Sequence, residues 1–498
     1  MARLGPSPLL LLLCCAVLVQ RSFAVPRPEF GSVGTVQSSL TIRNTVNSIT
    51  PLLVAIDDKN GLVLQTDYSL LREVLPVMES LGTKVTELGP PVTSAIVLGI
   101  PKTDGNYDGV FDPIVAAIDA FKNFLNTEVS STRANLKVLL GDDIDHLFGD
   151  AFGNMGIALS QVESSLLRLK GALRTAIIRN GRAQIDPAIV TDVVVATSYF
   201  KATISPVEYT IQSTIDNIEF GDFFLYELES MNEMLKENLE SYTTNFATEL
   251  TENGNDISSL TNSVKTTYKS ITDELPGATS NIASLPEYQS GVSVALEKYT
   301  SGYAALSEVP DKITGLITQY LTTANTYFTE YTSVLVPRSY DAVSYVIKVL
   351  VAGGPHSRFC FFKYSPRLTN FYALLVSDVE VCYNRESFRL NPLIDITTAI
   401  GQLILYDLED LIDNLTACNV KASPAPCLSA IGPLYVKLAD KTLSKANMIV
   451  KLIAAESKAS LNRLGSCVLT SRLRNMQALI SAVSDVATCH ELGPQDPN

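Results

Sequence analysis

The sequence of 498 residues contains no tryptophan and only three histidines. His146, His356 and His490 are not spaced four residues apart and do not accompany a cysteine pair, so neither a zinc site nor His-based catalysis has local support. The chain also lacks the G-x-S-x-G motif of the α/β-hydrolases. We therefore predict a protein that is not an enzyme, and we assign no catalytic residue, cofactor or metal ligand.

Cysteine is absent from residues 25–350. Two of the eight cysteines, Cys14 and Cys15, fall within residues 1–24, where Arg3, an apolar stretch and a small-residue cleavage site are typical of a secretory signal peptide. The remaining six are an even number, which suits disulfide formation in an oxidising compartment. We predict a secreted, extracellular protein.

Long apolar runs are also absent after the signal segment, so we predict no transmembrane segment. The formal net charge is −14, which argues against binding nucleic acid or anionic lipid by simple attraction. The excess of acid lies in residues 25–350, whereas residues 351–498 contain 14 Lys and Arg against 13 Asp and Glu. We predict an acidic, cysteine-free helical body over 25–350 and a six-cysteine helical domain over 351–498.

Proline is missing from two long stretches, residues 114–186 and 207–275. In the second stretch, apolar residues from Leu225 to Leu250 recur at steps of three or four, which predicts a helix packed along one seam. We interpret this seam as the core of a bundle, with self-association as the alternative. Asn253-Gly254-Asn255 predicts a break or hairpin. We find no internal sequence repeat.

The carboxyl-terminal quarter has four predicted helices. Ser365-Pro366, Asn391-Pro392 and Pro433 are typical of helix starts, and Gly465-Ser466 is typical of a helix end followed by a new start. The fold class that these patterns predict is all-α. It consists of an elongated, coiled-coil-like helical body and a disulfide-stapled carboxyl-terminal four-helix bundle.

The six remaining cysteines are spaced almost symmetrically, at intervals of 22, 36, 9, 40 and 22 residues. On a helix, 22 residues span roughly 33 Å, so cysteines at that spacing cannot bond each other. Antiparallel helices would instead be joined at both ends. Among the 15 possible connectivities, this favours the nested pairs Cys360–Cys489, Cys382–Cys467 and Cys418–Cys427.

Three further motifs suggest binding or modification. Asp104 to Asp112 resembles a calcium loop, but Val115 occupies the position of the bidentate Glu, so an acidic turn that caps a helix is the alternative. Gly149, Gly153 and Gly156 lack a preceding strand and a lysine, which argues against phosphate binding. Asn414-Leu415-Thr416 is a glycosylation sequon, with Asn414 as the candidate acceptor.

One family resemblance emerges from the cysteine-rich region. Cys360-Phe361-Phe362-Lys363-Tyr364 and Cys382-Tyr383, followed by the other four cysteines on a helical background, resemble the insect secreted TsetseEP-like domain over residues of about 355–490. The chain lacks the glutamate-proline repeat that gives this family its name. The resemblance implies a secreted insect protein, often associated with the gut, with no established molecular role and no catalytic residue to assign.

Two functions are consistent with this sequence. The first is a non-enzymatic, extracellular binding or structural protein that lines a surface, whose partner is an unidentified protein or surface ligand. The alternative is a secreted carrier of lipid or another small hydrophobic ligand, since secreted amphipathic helices can open and bind apolar cargo.

Overall fold

The computed structural model describes residues 29–494. The predicted signal peptide, including Cys14 and Cys15, lies outside these residues. These described residues are 87% helical with almost no strand, so the predicted all-α class is confirmed. Three disulfides join carboxyl-terminal helices and indicate an oxidising, extracellular or secretory environment.

The chain forms two compact units, and each unit combines segments from both sides of residue 350. Unit 1 contains the residues up to 227 together with 344–364 and those from 485 onward. Unit 2 contains residues 228–343 and 365–484. The units therefore group the chain differently from the two consecutive domains predicted above.

Among the described residues, unit 1 has six helices and a two-stranded hairpin before residue 187. Their bounds are α1 Ser39–Asn47, α2 Thr50–Val54, α3 Ser69–Gly99, α4 Tyr107–Phe124, α5 Ser130–Leu140, α6 Asp142–Thr175, β1 Ile177–Arg179 and β2 Arg182–Gln184. The strands are antiparallel, with Ile178 opposite Ala183. A 3₁₀ turn, Ala55–Asp57, follows α2, and a π turn, Leu125–Val129, joins α4 to α5.

The core of unit 1 follows from helical periodicity. In α4, Phe111, Ile114, Ile118 and Phe121 are fully buried at steps of three and four, so one face of this helix enters the core. The amino end of α4 is capped by Asn106, whose side-chain oxygen accepts a hydrogen bond of 2.9 Å from the Gly109 amide.

Six further helices follow within the described residues. Their bounds are α7 Pro187–Ala278, α8 Ser293–Ser307, α9 Val309–Ala352, α10 Ser357–Leu390, α11 Pro392–Asn419 and α12 Ala425–Leu492, with a second π turn at Tyr288–Val292 before α8. The helices α7, α9, α10 and α12 contribute residues to both units.

Within unit 2, α12 runs antiparallel to α10 and α11. Its contacts show the direction, because rising residue numbers on α12 match falling numbers on its partners. Tyr435 donates to a carboxylate oxygen of Asp410 at 2.6 Å, and Arg463 lies 3.0 Å from Glu386. Cys467 is bonded to Cys382 with their Cα atoms 5.8 Å apart.

In unit 2, helices about 140 residues apart in the sequence lie side by side. Hydrogen bonds join Thr243 to Tyr383 and Tyr320 to Ser460, each pair 140 residues apart. Buried residues at the same separation belong to shared core clusters: Val264 and Ile404, Leu306 and Ala446, and Ile313 and Ile453 in one, and Ile271 and Leu411 in another.

The three disulfides of the structure are the three nested pairs that the spacing favours. Cys360–Cys489 lies in unit 1, whereas Cys382–Cys467 and Cys418–Cys427 lie in unit 2. Their Cα–Cα distances are 5.8, 5.8 and 5.7 Å, within the range of bridged cysteines.

The number of carboxyl-terminal helices differs from the prediction. Residues 357–492 form three helices rather than four, because Gly465 lies inside α12, and Pro366 and Pro433 also lie inside helices. A Cβ at Gly465 would come within 3.0 Å of the Tyr327 ring, so this glycine permits close packing of two helices and does not end one.

The predicted break at Asn253-Gly254-Asn255 is also wrong, since α7 continues to Ala278. A Cβ at Gly254 would lie 2.6 Å from the side chain of Ile317. Here too the absence of a side chain lets two helices approach closely, and the helical hydrogen bonds continue.

A buried ion pair stabilises unit 2 near one disulfide. The Glu386 carboxylate is nearly inaccessible and accepts hydrogen bonds from Arg463 at 3.0 Å and Arg389 at 2.6 Å. Burial alone would raise the pKa of Glu386, but its hydrogen bonds with Arg463, Ser460 and Arg389 outweigh this and lower the pKa. The residue is therefore held as a carboxylate.

Candidate ligand-binding groove

Unit 1 contains an open cavity of about 770 Å³. Its walls are the π turn with the adjoining residues of α4 and α5, one face of α6, and the beginning of α7. We call this cavity the π-turn groove and define it by the residues Leu125, Val129, Phe152, Gly153, Ile157, Ser160 and Val195. Its volume lies within the range of about 300–1,000 Å³ typical of small-molecule sites.

Two local features leave open space between the walls of the groove. The π turn at Leu125–Val129 widens the helix, and such turns often occur at functional sites. On the facing helix, a Cβ built at Gly153 would have no atom within 4 Å, and one at Gly156 would lie 3.7 Å from Leu125. Gly153 and Gly156 of the glycine motif noted in the sequence therefore form the floor of the groove.

The lining is amphipathic. Ile157 and Val195 are 53% and 61% exposed although both are large and apolar, so a ligand could remove much apolar surface from water. The Ser160 and Ser164 hydroxyls each donate to a carbonyl one turn earlier, at 3.0 and 2.8 Å. Their oxygens can still accept hydrogen bonds from a polar group in the groove.

Three cations line the groove, and each is held by a carboxylate. Lys122 lies 2.7 Å from Glu163, Arg133 lies 2.8 Å from Asp145, and Arg168 lies 2.7 Å from Asp192. The hydrogen bond from Arg133 is the main cause of a lowered pKa at Asp145, with a further contribution from Lys137. These pairs fix the direction of the cationic side chains.

A second cavity of about 740 Å³ lies in unit 2 between α7 and α9. We call it the threonine groove and define it by Leu235, Leu239, Thr243, Phe328, Thr329, Thr332 and Val336. The side-chain oxygen of Asn232 in its lining is buried without a hydrogen-bond partner. The lining is otherwise mainly apolar side chains and neutral hydroxyls, so it offers fewer groups that could orient a ligand.

The calcium-like segment is occupied by ion pairs within the protein. Lys170 lies 2.6 Å from both Asp108 and Asp112, and Arg174 also contacts Asp108. The hydrogen bond from Lys170 is the main cause of a lowered pKa at Asp108. The cap of α4 is Asn106 and not Asp112, because α4 begins before Pro113.

Two of the histidines lie near one acidic side chain. Asp143 accepts a hydrogen bond of 2.9 Å from His490, and both Asp143 and His146 line a cavity of about 410 Å³. Among residues 29–494, no group of three or more His, Cys, Asp or Glu side chains is placed to hold a metal ion. The neighbouring Asp142 pairs with Lys137 at 2.7 Å, so these adjacent carboxylates have specific partners in addition to solvent.

The glycosylation candidate Asn414 is engaged in hydrogen bonds. Its amide nitrogen donates to the Asp410 carbonyl and to the Tyr435 hydroxyl, each at 2.8 Å, from within α11. The nitrogen that would carry a glycan is thus directed into the contact between α11 and α12. Glycosylation at this position stays a prediction.

Membrane insertion receives only weak support. Helix α7 contains an 18-residue window with a mean hydropathy of 1.2, enough for a membrane span by length and composition. However, 39% of that window is buried within the protein, and the core helix of a water-soluble fold would pass the same test.

The fold and the groove together give an all-α, disulfide-bonded protein with an open cavity whose volume is typical of small-molecule sites. Comparison with known proteins found no matching family model, no matching curated protein and no matching solved structure. The resemblance to the TsetseEP-like domain therefore stays a prediction.

The groove residues were not identified from the sequence as a site. The available signal was the combination of the small residues Gly153, Gly156, Ser160 and Ser164 on one face of a helix. The π turn that forms the facing wall has no comparable sequence signal.

Proposed function

We propose that this chain is a secreted, non-enzymatic binding protein that carries a small hydrophobic or amphiphilic ligand in the π-turn groove. The observation that carries the proposal is a preformed cavity of about 770 Å³ with exposed Ile157 and Val195 along its walls. The lining combines these apolar side chains with polar and charged ones, which suits an amphiphilic ligand.

Of the two functions that the sequence suggests, the groove favours the carrier. A structural rod requires only that its helices pack, and a Cβ at Gly153 would have no atom within 4 Å. Since a glycine in the middle of a helix is destabilising relative to alanine, its presence here is better explained by the space that it leaves.

The extracellular setting rests on three supports. The disulfides suit an oxidising compartment, residues 1–24 have the pattern of a signal peptide, and the cysteine-rich region resembles a secreted family. No catalytic residue is assigned, and binding alone is the proposed activity.

Organic extraction of the natively purified protein, followed by mass spectrometry, tests the proposal. We expect one class of small amphiphile in near-stoichiometric amount, and its return when the stripped protein is incubated with the extract. A buffer blank and stripped protein without the extract serve as controls. A clean extract from a cooperatively folded protein that also takes up nothing would instead support the structural, surface-lining function.

A further inference from the structure

The cations of the π-turn groove lie at its two ends. Lys122 and Arg133 are eleven residues apart along the α4, π-turn and α5 segment, which corresponds to roughly 16 Å at the rise of a helix. Arg168 lies near the Lys122 end, since it follows Glu163, the partner of Lys122, by five residues along α6. An extended ligand would therefore have a different charged end group available at each end of the groove.

The charges around the two ends differ. At the Lys122 end, Lys122 and Arg168 face three carboxylates, Asp119, Glu163 and Asp192, at 4.0, 2.7 and 2.7 Å from the nearest cation. At the Arg133 end, Arg133 and Lys137 are balanced by only two carboxylates, Asp142 and Asp145. An anion is therefore repelled less at the Arg133 end.

The Arg133 side chain is also oriented for binding. Its Nε and Nη2 atoms both donate to one oxygen of Asp145, at 3.1 and 2.8 Å. Because a guanidinium carries five N–H donors, the Nη1 group keeps its donors available, with no hydrogen bond to another described residue. A planar guanidinium of this kind matches the two oxygens of a carboxylate or sulfonate.

A glycine makes this orientation possible. A Cβ at Gly149 would lie 2.7 Å from Arg133 Nη2 and 3.0 Å from its Cζ, so the guanidinium rests against α6 where any side chain would displace it. Ser130, one turn before Arg133, lines the same end of the groove and supplies a hydroxyl donor.

We infer that the ligand is an amphiphile with an anionic head, which Arg133 binds through its Nη1 donors. This inference rests on the proposed function. The apolar tail extends from there along Phe152 and Ile157, toward the Lys122 end of the groove. The chemical class is a long-chain carboxylate, sulfonate or similar monoanion.

Two fluorescent dyes with the same apolar skeleton test this inference: anionic 1-anilinonaphthalene-8-sulfonate and neutral N-phenyl-1-naphthylamine. We expect the stripped protein to bind the anionic dye at least tenfold more tightly than the neutral one. Arg133→Gln should remove most of that preference and leave the affinity for the neutral dye unchanged, and Arg133→Lys should restore part of it. The neutral dye thus reports whether the groove is intact in each variant.

Arg174→Gln is the matched control. Arg174 lies on α6, the helix that forms the groove floor, and pairs with Asp108 of α4. It does not line the groove, so its removal should leave the ratio of the two affinities unaltered. An unchanged ratio in Arg133→Gln, or loss of the preference in Lys122→Gln instead, would overturn the assignment of the head group. If the stripped parent protein binds neither dye, the proposed function itself is wrong.

Discussion

Filling the π-turn groove from its floor should abolish binding and at the same time stabilise the protein. Gly153 lies inside α6, and a Cβ built on it has no atom within 4 Å. Gly153→Leu would therefore place four carbon atoms in the space that the ligand tail needs, without a clash of the Cβ with its surroundings.

The two effects have opposite signs. Replacing a glycine inside a helix by leucine should raise the free energy of unfolding by about 0.5–1 kcal/mol. Four displaced carbon atoms of ligand, at about 0.8 kcal/mol each, correspond to a loss of about 3 kcal/mol in binding, or roughly a hundredfold weaker affinity. A simple folding defect cannot produce this combination.

Urea unfolding and titration with N-phenyl-1-naphthylamine measure the two effects separately. Gly171→Leu is the control, because Gly171 lies on the same helix with equally open surroundings but does not line the groove. It should gain the same stability and bind the dye like the parent protein. Parent-like binding by Gly153→Leu would refute the location of the site.

Three further predictions concern unit 2. Gly254→Ala should lower the stability despite its helical position, while Gly315→Ala, in open surroundings on α9, should raise it by about 0.5–1 kcal/mol; equal urea midpoints would contradict the packing role. The pKa of Glu386 is lowered in the folded protein, so its carboxylate stabilises the fold fully above about pH 4.3, and this stabilisation is lost as the pH falls through the folded-state pKa. Glu386→Gln should therefore make the urea midpoint less dependent on pH between pH 5 and 3. Removing the Cys382–Cys467 disulfide, whose cysteines are 85 residues apart, should lower the free energy of unfolding by about 3–4 kcal/mol. This is less than the value of about 4.6 kcal/mol for an isolated loop of that length, because the other disulfides already restrict the unfolded chain. An unchanged urea midpoint would exclude this pairing.

The sequence was sufficient to predict the helical class, because apolar residues at steps of three and four lie on one face of a helix and that face is the one that is buried. The spacing of the cysteines likewise favoured the pairing that the structure contains, since bonded cysteines must lie at matched heights on antiparallel helices. Both inferences depend only on spacing along a helix, and the number of residues between two positions gives that spacing directly.

Glycine and proline were the misleading residues. Gly254 and Gly465 were interpreted as breaks, but each faces a large side chain of another helix, Ile317 or Tyr327, which the local sequence does not reveal. The side-by-side packing of helices 140 residues apart was not predicted for a related reason, because two side chains that meet, such as Tyr320 and Ser460, need not resemble each other.

The groove could not be predicted because it depends on which helices lie opposite each other. The ion pair between Arg133 and Asp145 and the open space above Gly153 arise only when α5 packs against α6. The sequence showed a glycine-rich helix face, and only the structure identified the facing wall.

Hydrogen exchange of the stripped protein, with and without saturating N-phenyl-1-naphthylamine, tests the central claim most directly. The dye should slow amide exchange in residues 122–133, 152–165 and 192–196, the three segments that surround the π-turn groove. Protection confined to residues 232–244 and 325–337, which form the threonine groove, would contradict the proposed site, as would no protection at all.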